Sequence, residues 1–152
     1  MTKKIAIGAD HAGFEEKEAV KKQLENLGVE YIDMGTYSKD SVDYPDFAEK
    51  VGRAVVDGTA EQGILVCGSG IGISIAANKV DGVRAALAWN AETARLARQH
   101  NDANVLAIGA RTTPKEDIKR IVEAWFGADF EGGRHAMRVA KIARIEEDSG
   151  GM

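Results

Sequence analysis

The lone thiol of the chain, Cys67, runs directly into three alternating glycines, Gly68, Gly70 and Gly72, with Ser69 and Ile71 between them. A thiol, a hydroxyl and closely approaching backbone form a set that can take up and return a proton while amide N–H groups hold the charge that develops. Glycine suits such a loop because it permits positive φ and close contact between backbone and ligand. A helix starting just after the loop would aim its unpaired N–H groups and positive dipole end back at it, favouring a phosphate, an oxyanion or a Cys67 thiolate. The residues alone leave two roles open for Cys67, a base or nucleophile and an inert buried cysteine closing a strand. Several familiar loops do not fit. A Walker A loop needs a Lys-Ser or Lys-Thr pair that is missing here. A dinucleotide fingerprint needs glycine where Ile73 or Ile75 stands. A phosphatase-type cysteine loop would carry arginine where Ile73 and Ser74 stand.

Other chemistry-bearing residues are spread along the chain. Asp10-His11 pairs a carboxylate with an imidazole, fit for acid–base work or anion binding. His100-Asn101 ends a predicted helix, which suits a cation on a helix dipole. A functional His100 would have to reach the site of a second subunit, because the end of that helix lies on the far side of the sheet from its own loops. Arg134 and Arg138 are spaced i, i+4, with Lys141 continuing the stripe; it is either a solvated face or a phosphate clamp. Arg111, predicted at the end of the last strand, is placed to join them.

The elements that must position these residues alternate regularly. Strands are predicted at Lys4–Gly8, Val29–Met34, Ile64–Cys67, Val83–Ala88 and Asn104–Gly109, with helices between them. Expected boundary signals are Gly28 closing the first helix and Asp43 with Pro45 opening the second. Asn90 opens the fourth, and Thr113-Pro114-Lys115-Glu116 opens the fifth as a capping box. A last helix follows Gly132-Gly133, from about Arg134 to Glu146, with a frayed tail over Asp148–Met152. The pattern predicts one α/β domain over residues 1–152, a doubly wound, Rossmann-like five-stranded parallel sheet covered by helices on both faces, plus the C-terminal helix. With strand order 2-1-3-4-5, ligands bind beyond the strand ends where the order reverses, between the first and third strands. Asp10-His11 and Cys67-Gly68 meet there, which favours the functional role for Cys67.

The 152 residues are 44% hydrophobic and 29% charged, as in a folded globular chain. No apolar run is long enough to cross a bilayer, and Met-Thr-Lys-Lys leads straight into a strand rather than a signal peptide. A single cysteine excludes an internal disulfide framework and fits a reducing cytoplasm. A net charge of −4 argues against a general nucleic-acid binder. The three histidines, His11, His100 and His135, are far apart in sequence and show no zinc-ligand spacing with Cys67.

Five stretches in order resemble the type B ribose-5-phosphate isomerases and the wider group that includes allose-6-phosphate and galactose-6-phosphate isomerases. They are Gly8-Ala-Asp-His-Ala-Gly-Phe14, Asp43-Tyr-Pro-Asp46, Cys67-Gly-Ser-Gly-Ile-Gly-Ile-Ser-Ile-Ala-Ala-Asn-Lys79, Arg98-Gln-His-Asn-Asp102 and Glu131-Gly-Gly-Arg-His135. The resemblance implies an aldose–ketose isomerase of the non-oxidative pentose phosphate pathway. In it Cys67 is the base that moves a proton between C1 and C2 of the open-chain sugar. The backbone of Gly68, Ser69, Gly70, Ile71 and Gly72 holds the enediolate, and Ser69 relays protons between its oxygens. Asp10 and His100 open the furanose ring. His11, Asn101, Arg111, Arg134 and Arg138 bind the sugar and its phosphate. The resemblance further implies a homodimer or dimer of dimers with sites shared between subunits, and no metal or organic cofactor. Two other readings stay open: a six-carbon sugar phosphate as substrate, and a nucleotide- or phosphate-binding module without catalysis. A cysteine hydrolase would need a histidine paired with Cys67.

Overall fold

The structure, a computed structural model, describes residues 3–150. Five strands, β1 (Lys4–Ala9), β2 (Glu30–Asp33), β3 (Gln62–Cys67), β4 (Ala85–Leu87) and β5 (Val105–Gly109), form one parallel sheet. Around it lie α1 (Phe14–Asn26), α2 (Tyr44–Val56), α3 (Ile71–Ala77), α4 (Ala91–Asn101), α5 (Lys115–Phe126) and α6 (Arg134–Gly150).

The strand order is β2-β1-β3-β5-β4, so the predicted order 2-1-3-4-5 is corrected in its last two places. The burial of each strand explains the exchange. β5 is buried at every position and can sit between two neighbours, whereas β4 is only three residues long and half-buried, which suits an edge. The other edge is β2, whose four residues are also partly exposed. The reversal between β1 and β3 is unaffected.

Side-chain alternation splits the core into two layers. Ile5, Ile7, Ile64, Val66, Leu106 and Ile108 pack under α1, α4 and α5, around a fully buried Trp125. The Trp125 indole N–H donates to Gln62 Oε1 at 3.0 Å, so its polar atom is not left unpaired in the interior. Ala6, Leu65, Cys67, Val105 and Ala107 point to the opposite face, under α2 and α3. Helix α6 has no buried residue; it packs chiefly on α4 and is tied by the Glu146 carboxylate, which accepts the Gly82 N–H at 2.9 and 3.1 Å.

Helix ends follow the sequence unevenly. Asn90 forms a reciprocal capping box with Thr93. Asp43 occupies the N-cap position of α2 but makes no side-chain cap bond. The expected capping box at Thr113–Glu116 does not form; Pro114 is itself the N-cap residue and Thr113 is buried. Helix α6 continues past Glu146 to Gly150, so the expected fraying is absent as far as that residue, and Gly151 and Met152 lie outside the described residues.

A buried ion pair steadies the β2 end of the sheet. Lys17 is fully buried and donates to both carboxylate oxygens of Asp33 at 2.6 Å, while Lys21 adds a contact at 2.8 Å. Burial alone would raise the Asp33 carboxyl; hydrogen bonds from Lys17, Lys21 and the Gly35 N–H outweigh it and hold the group below the usual carboxylate range. The loop after Asp33 then docks on β1: Ala9 N–H donates to Gly35 O at 2.8 Å and Thr36 N–H to Ala9 O at 2.7 Å. This fixes the chain one residue before Asp10.

Candidate active site

The ends of β1 and β3 converge as expected. A cleft of about 400 Å³ is lined by Asp10, His11, Cys67, Gly68, Ser69 and Arg111, together with Ala12, Tyr44, Ile71 and Gly72. Cys67 is 5% exposed, and its Sγ accepts the Gly70 N–H at 3.2 Å. A backbone N–H aimed at sulfur is a partner that a thiolate, the stronger acceptor, can use well. The loop is set by steric demands that only glycine meets. Gly70 has φ +78°, and a Cβ there would lie 2.5 Å from Leu87 Cδ1 and 2.9 Å from the Gly109 nitrogen. The Ser69 hydroxyl oxygen accepts the Ile71 N–H at 3.2 Å and caps the turn. Helix α3 behind the loop is seven residues long, about two turns, and its first N–H groups face the loop as expected.

On β1, the buried Asp10 carboxylate accepts the Gly13 N–H at 3.1 Å. Gly13 in turn lies flat on β3, where a Cβ would come 2.3 Å from the Val66 carbonyl oxygen. His11 Nδ1 accepts the Val42 N–H at 3.1 Å, which leaves Nε2 as the protonated, donating nitrogen of the neutral ring. Arg111 N–H donates to Gly68 O at 2.8 Å, anchoring β5's exit loop to the glycine loop, while its guanidinium borders the cleft. Tyr44 was not singled out among the sequence candidates. Its ring packs against Gly72, where a Cβ would sit 2.6 Å from Cζ. Its signal was its place between Asp43 and Pro45, at the first helical position of α2.

The remaining candidates lie elsewhere. Asn101 borders a separate cleft of about 240 Å³ with Asn78, Ala85 and Ile142, near the start of β4. Arg134 and Arg138 are exposed on α6 and do not line the Cys67 cleft. His100 stacks on His135, ring centroids 4.2 Å apart and planes within 10°. Glu131 Oε1 lies 3.7 Å from Nε2 of each ring. Histidines remote in sequence are therefore neighbours in space, an association that spacing alone did not reveal. Burial, then the charges of His100 and Arg134, hold the His135 imidazole below its ordinary value, with Glu131 pulling the other way. One chain thus holds two separate clusters of the candidate residues, one at the strand ends and one at the α4–α6 junction.

A family model described as Ribose/Galactose Isomerase matches residues 5–142. The chain belongs to this family. It is 52% identical over 145 residues to ribose-5-phosphate isomerase B of Escherichia coli K12, covering 95% of this chain and 97% of the relative. The Clostridium thermocellum ribose-5-phosphate isomerase B structure matches with a TM-score of 0.95 at 51% identity, covering 96% of this chain and 99% of the other. A Mycoplasma genitalium ribose-5-phosphate isomerase B structure with bound ribulose-5-phosphate matches with a TM-score of 0.91 at 42% identity, covering 95% and 96% of the two chains. Family membership fits the doubly wound sheet, the sequence resemblance and the cleft between β1 and β3.

Proposed function

We propose that the chain acts as a single isomerase domain that interconverts ribose 5-phosphate and ribulose 5-phosphate through an enediol. The observation that carries this reading is the cleft that joins Cys67, Ser69 and the glycine loop to Asp10, His11 and Arg111. An E. coli relative at 52% identity carries that enzyme name, and a related Mycoplasma protein binds the ketose phosphate.

The mechanism follows from the residues. The Cys67 thiolate takes the C2 proton of the open-chain aldose, and the electron pair moves onto O1. Backbone N–H groups of the Gly68–Gly72 loop hold the enediolate, and the Ser69 hydroxyl passes a proton between O1 and O2. The Cys67 thiol then returns its proton to C1, giving the ketose and regenerating the thiolate. Asp10 and His100 move the protons that open the furanose ring. His11, Asn101, Arg111, Arg134 and Arg138 hold the hydroxyls and the phosphate, and that grip orients the reacting carbons.

His100, Asn101, Arg134 and Arg138 serve this reaction in trans, in a homodimer or dimer of dimers. Two features support the arrangement. The α4–α6 half-site stands apart from the Cys67 cleft of its own chain. Large apolar side chains are also left exposed, Ile71 and Ile75 on α3 and Met137 and Ile145 on α6, as a surface awaiting a partner would be. Among the described residues no helix is long and apolar enough to cross a membrane, and the one free thiol fits a reducing cytoplasm.

The test is conversion of ribose 5-phosphate to ribulose 5-phosphate, wild type beside Cys67→Ala, with allose 6-phosphate as rival. Turnover of the pentose that vanishes in the variant supports both the activity and the base. Turnover of the hexose phosphate alone moves the substrate to six carbons. No turnover of either sugar favours a phosphate-binding module.

A further inference from the structure

We propose that His100, Glu131 and His135 form a binding site for a divalent ion of the zinc class, and that an ion held there keeps His100 from ring opening and inhibits the isomerase. The inhibitory half rests on the isomerase reading above; the site itself does not.

The three residues each offer one ligand atom, and these atoms all lie within 4.8 Å of one another. Both imidazole Nε2 atoms face the same carboxylate oxygen at 3.7 Å. A tetrahedral zinc ion with bonds of about 2.0–2.2 Å spaces its ligands roughly 3.3 Å apart, so the two stacked imidazoles, their planes 10° apart, must rotate out of the stack for both Nε2 lone pairs to meet one ion beside Glu131. Two histidines and one carboxylate make a ligand set that zinc uses with its fourth position open to water. Magnesium and calcium prefer all-oxygen surroundings, which selects against them here.

The backbone prearranges the set. Glu131 N–H donates to Gln99 O at 3.0 Å, which pins the acidic residue beside the end of α4 and next to His100. Gly132 and Gly133, at φ +67° and +57°, turn the chain back so that the first turn of α6 brings His135 under the same carboxylate. His135 N–H donates to Gly132 O at 3.1 Å and fixes that turn. Solvent reaches the cluster through Glu131, 50% exposed, and His100, 37% exposed, so an ion can enter and leave. In this role the ion is an inhibitor, not a cofactor of the reaction.

Equilibrium dialysis of the full chain against Zn²⁺ tests the site without reference to activity. The expected result is one ion per chain in wild type and in Cys67→Ser, with affinity at least about tenfold weaker in Glu131→Gln and in His135→Asn. Binding that survives both of those substitutions, that disappears in Cys67→Ser, or that is not seen in wild type overturns the site. In the second arm, zinc should slow ribose 5-phosphate turnover with the same half-saturation as binding. A chelator should restore the rate, and His135→Asn should resist inhibition. Stoichiometric binding with an unchanged rate overturns the inhibitory half. If the metal-free chain turns over no sugar phosphate, the isomerase reading fails while dialysis still decides the site.

Discussion

Around Cys67 a backbone N–H holds the functional atom itself, whereas around His100 the backbone only brings the residues together and side chains make the contacts. The thiol ends a strand that is buried at all six of its residues; its sulfur is held by a backbone N–H, and its loop presses on the end of β5 through Gly109, where a Cβ would meet the Ser69 carbonyl oxygen. The His100 cluster rests on a ring stack, a half-exposed carboxylate and a helix with no buried residue. A proton taken from carbon needs a base fixed relative to its oxyanion donors, because misplacement of about an ångström costs on the order of 10²-fold. In the proposed reaction, ring opening and phosphate binding tolerate a looser arm, and an arm proposed to complete another subunit's site must leave its own core.

The sharpest way to break this contrast is to remove each half's central group. Cys67→Ala should lower kcat about 10³-fold with the fold intact by circular dichroism, and His100→Ala about 10²-fold when ribose 5-phosphate is supplied as the furanose. Equal amounts of the two variants, unfolded and refolded together, should regain roughly a quarter of wild-type activity. Random pairing puts half the chains in mixed dimers, each with one intact site. Absence of any recovery would place His100 in the same site as its own Cys67, or outside the reaction.

Two glycine substitutions sharpen the comparison through stability. Gly13→Ala drives a methyl group against the Val66 carbonyl, which as strand backbone has little room to give, and should cost about 3 kcal/mol in urea unfolding while displacing Asp10. Gly132→Ala meets nothing within 4 Å; only its left-handed backbone is strained, so about 1 kcal/mol is expected. Equal losses would mean that the α4–α6 junction is as tightly built as the strand ends.

The two halves also differed in how readable they were. Strand patterning, the glycine alternation and the switch-point rule brought Asp10-His11 to the Cys67 loop and put Arg111 on the same side of the sheet, and all of them line one cleft, because local sequence and a parallel topology determine where strand ends go. The order of β4 and β5 was missed, since both carry apolar runs and only burial on two faces separates an inner strand from an edge. Tyr44 was missed because an aromatic opening a helix looks like any half-buried residue; its meaning comes from Gly72, far away in sequence. Glu131 and His135 as partners of His100 depend on how α6 returns to α4, a long-range contact with no local period to announce it. The expected box at Thr113 failed for a nearer reason: Pro114, in extended backbone at ψ 144°, takes the cap position itself.

The smallest effect concerns protons at the exposed half. His135 is held below the ordinary histidine value of about 6.5, first by burial, then by His100 and Arg134, and partly restored by Glu131. A base whose folded value lies below its unfolded one binds a proton less readily when folded. Its penalty is therefore absent above the unfolded value, grows as pH falls through it, and levels off below the folded value. Stability measured by urea unfolding should decline between about pH 7.5 and 5.5, as expected from an unfolded value of about 6.5. His135→Asn should flatten that decline. Glu131→Gln should steepen it, because the carboxylate is the one group that favours the charged ring. If both variants followed the wild-type slope, the stacked pair would be uncoupled from folding, and the difference between the two halves would lie in their catalytic roles alone.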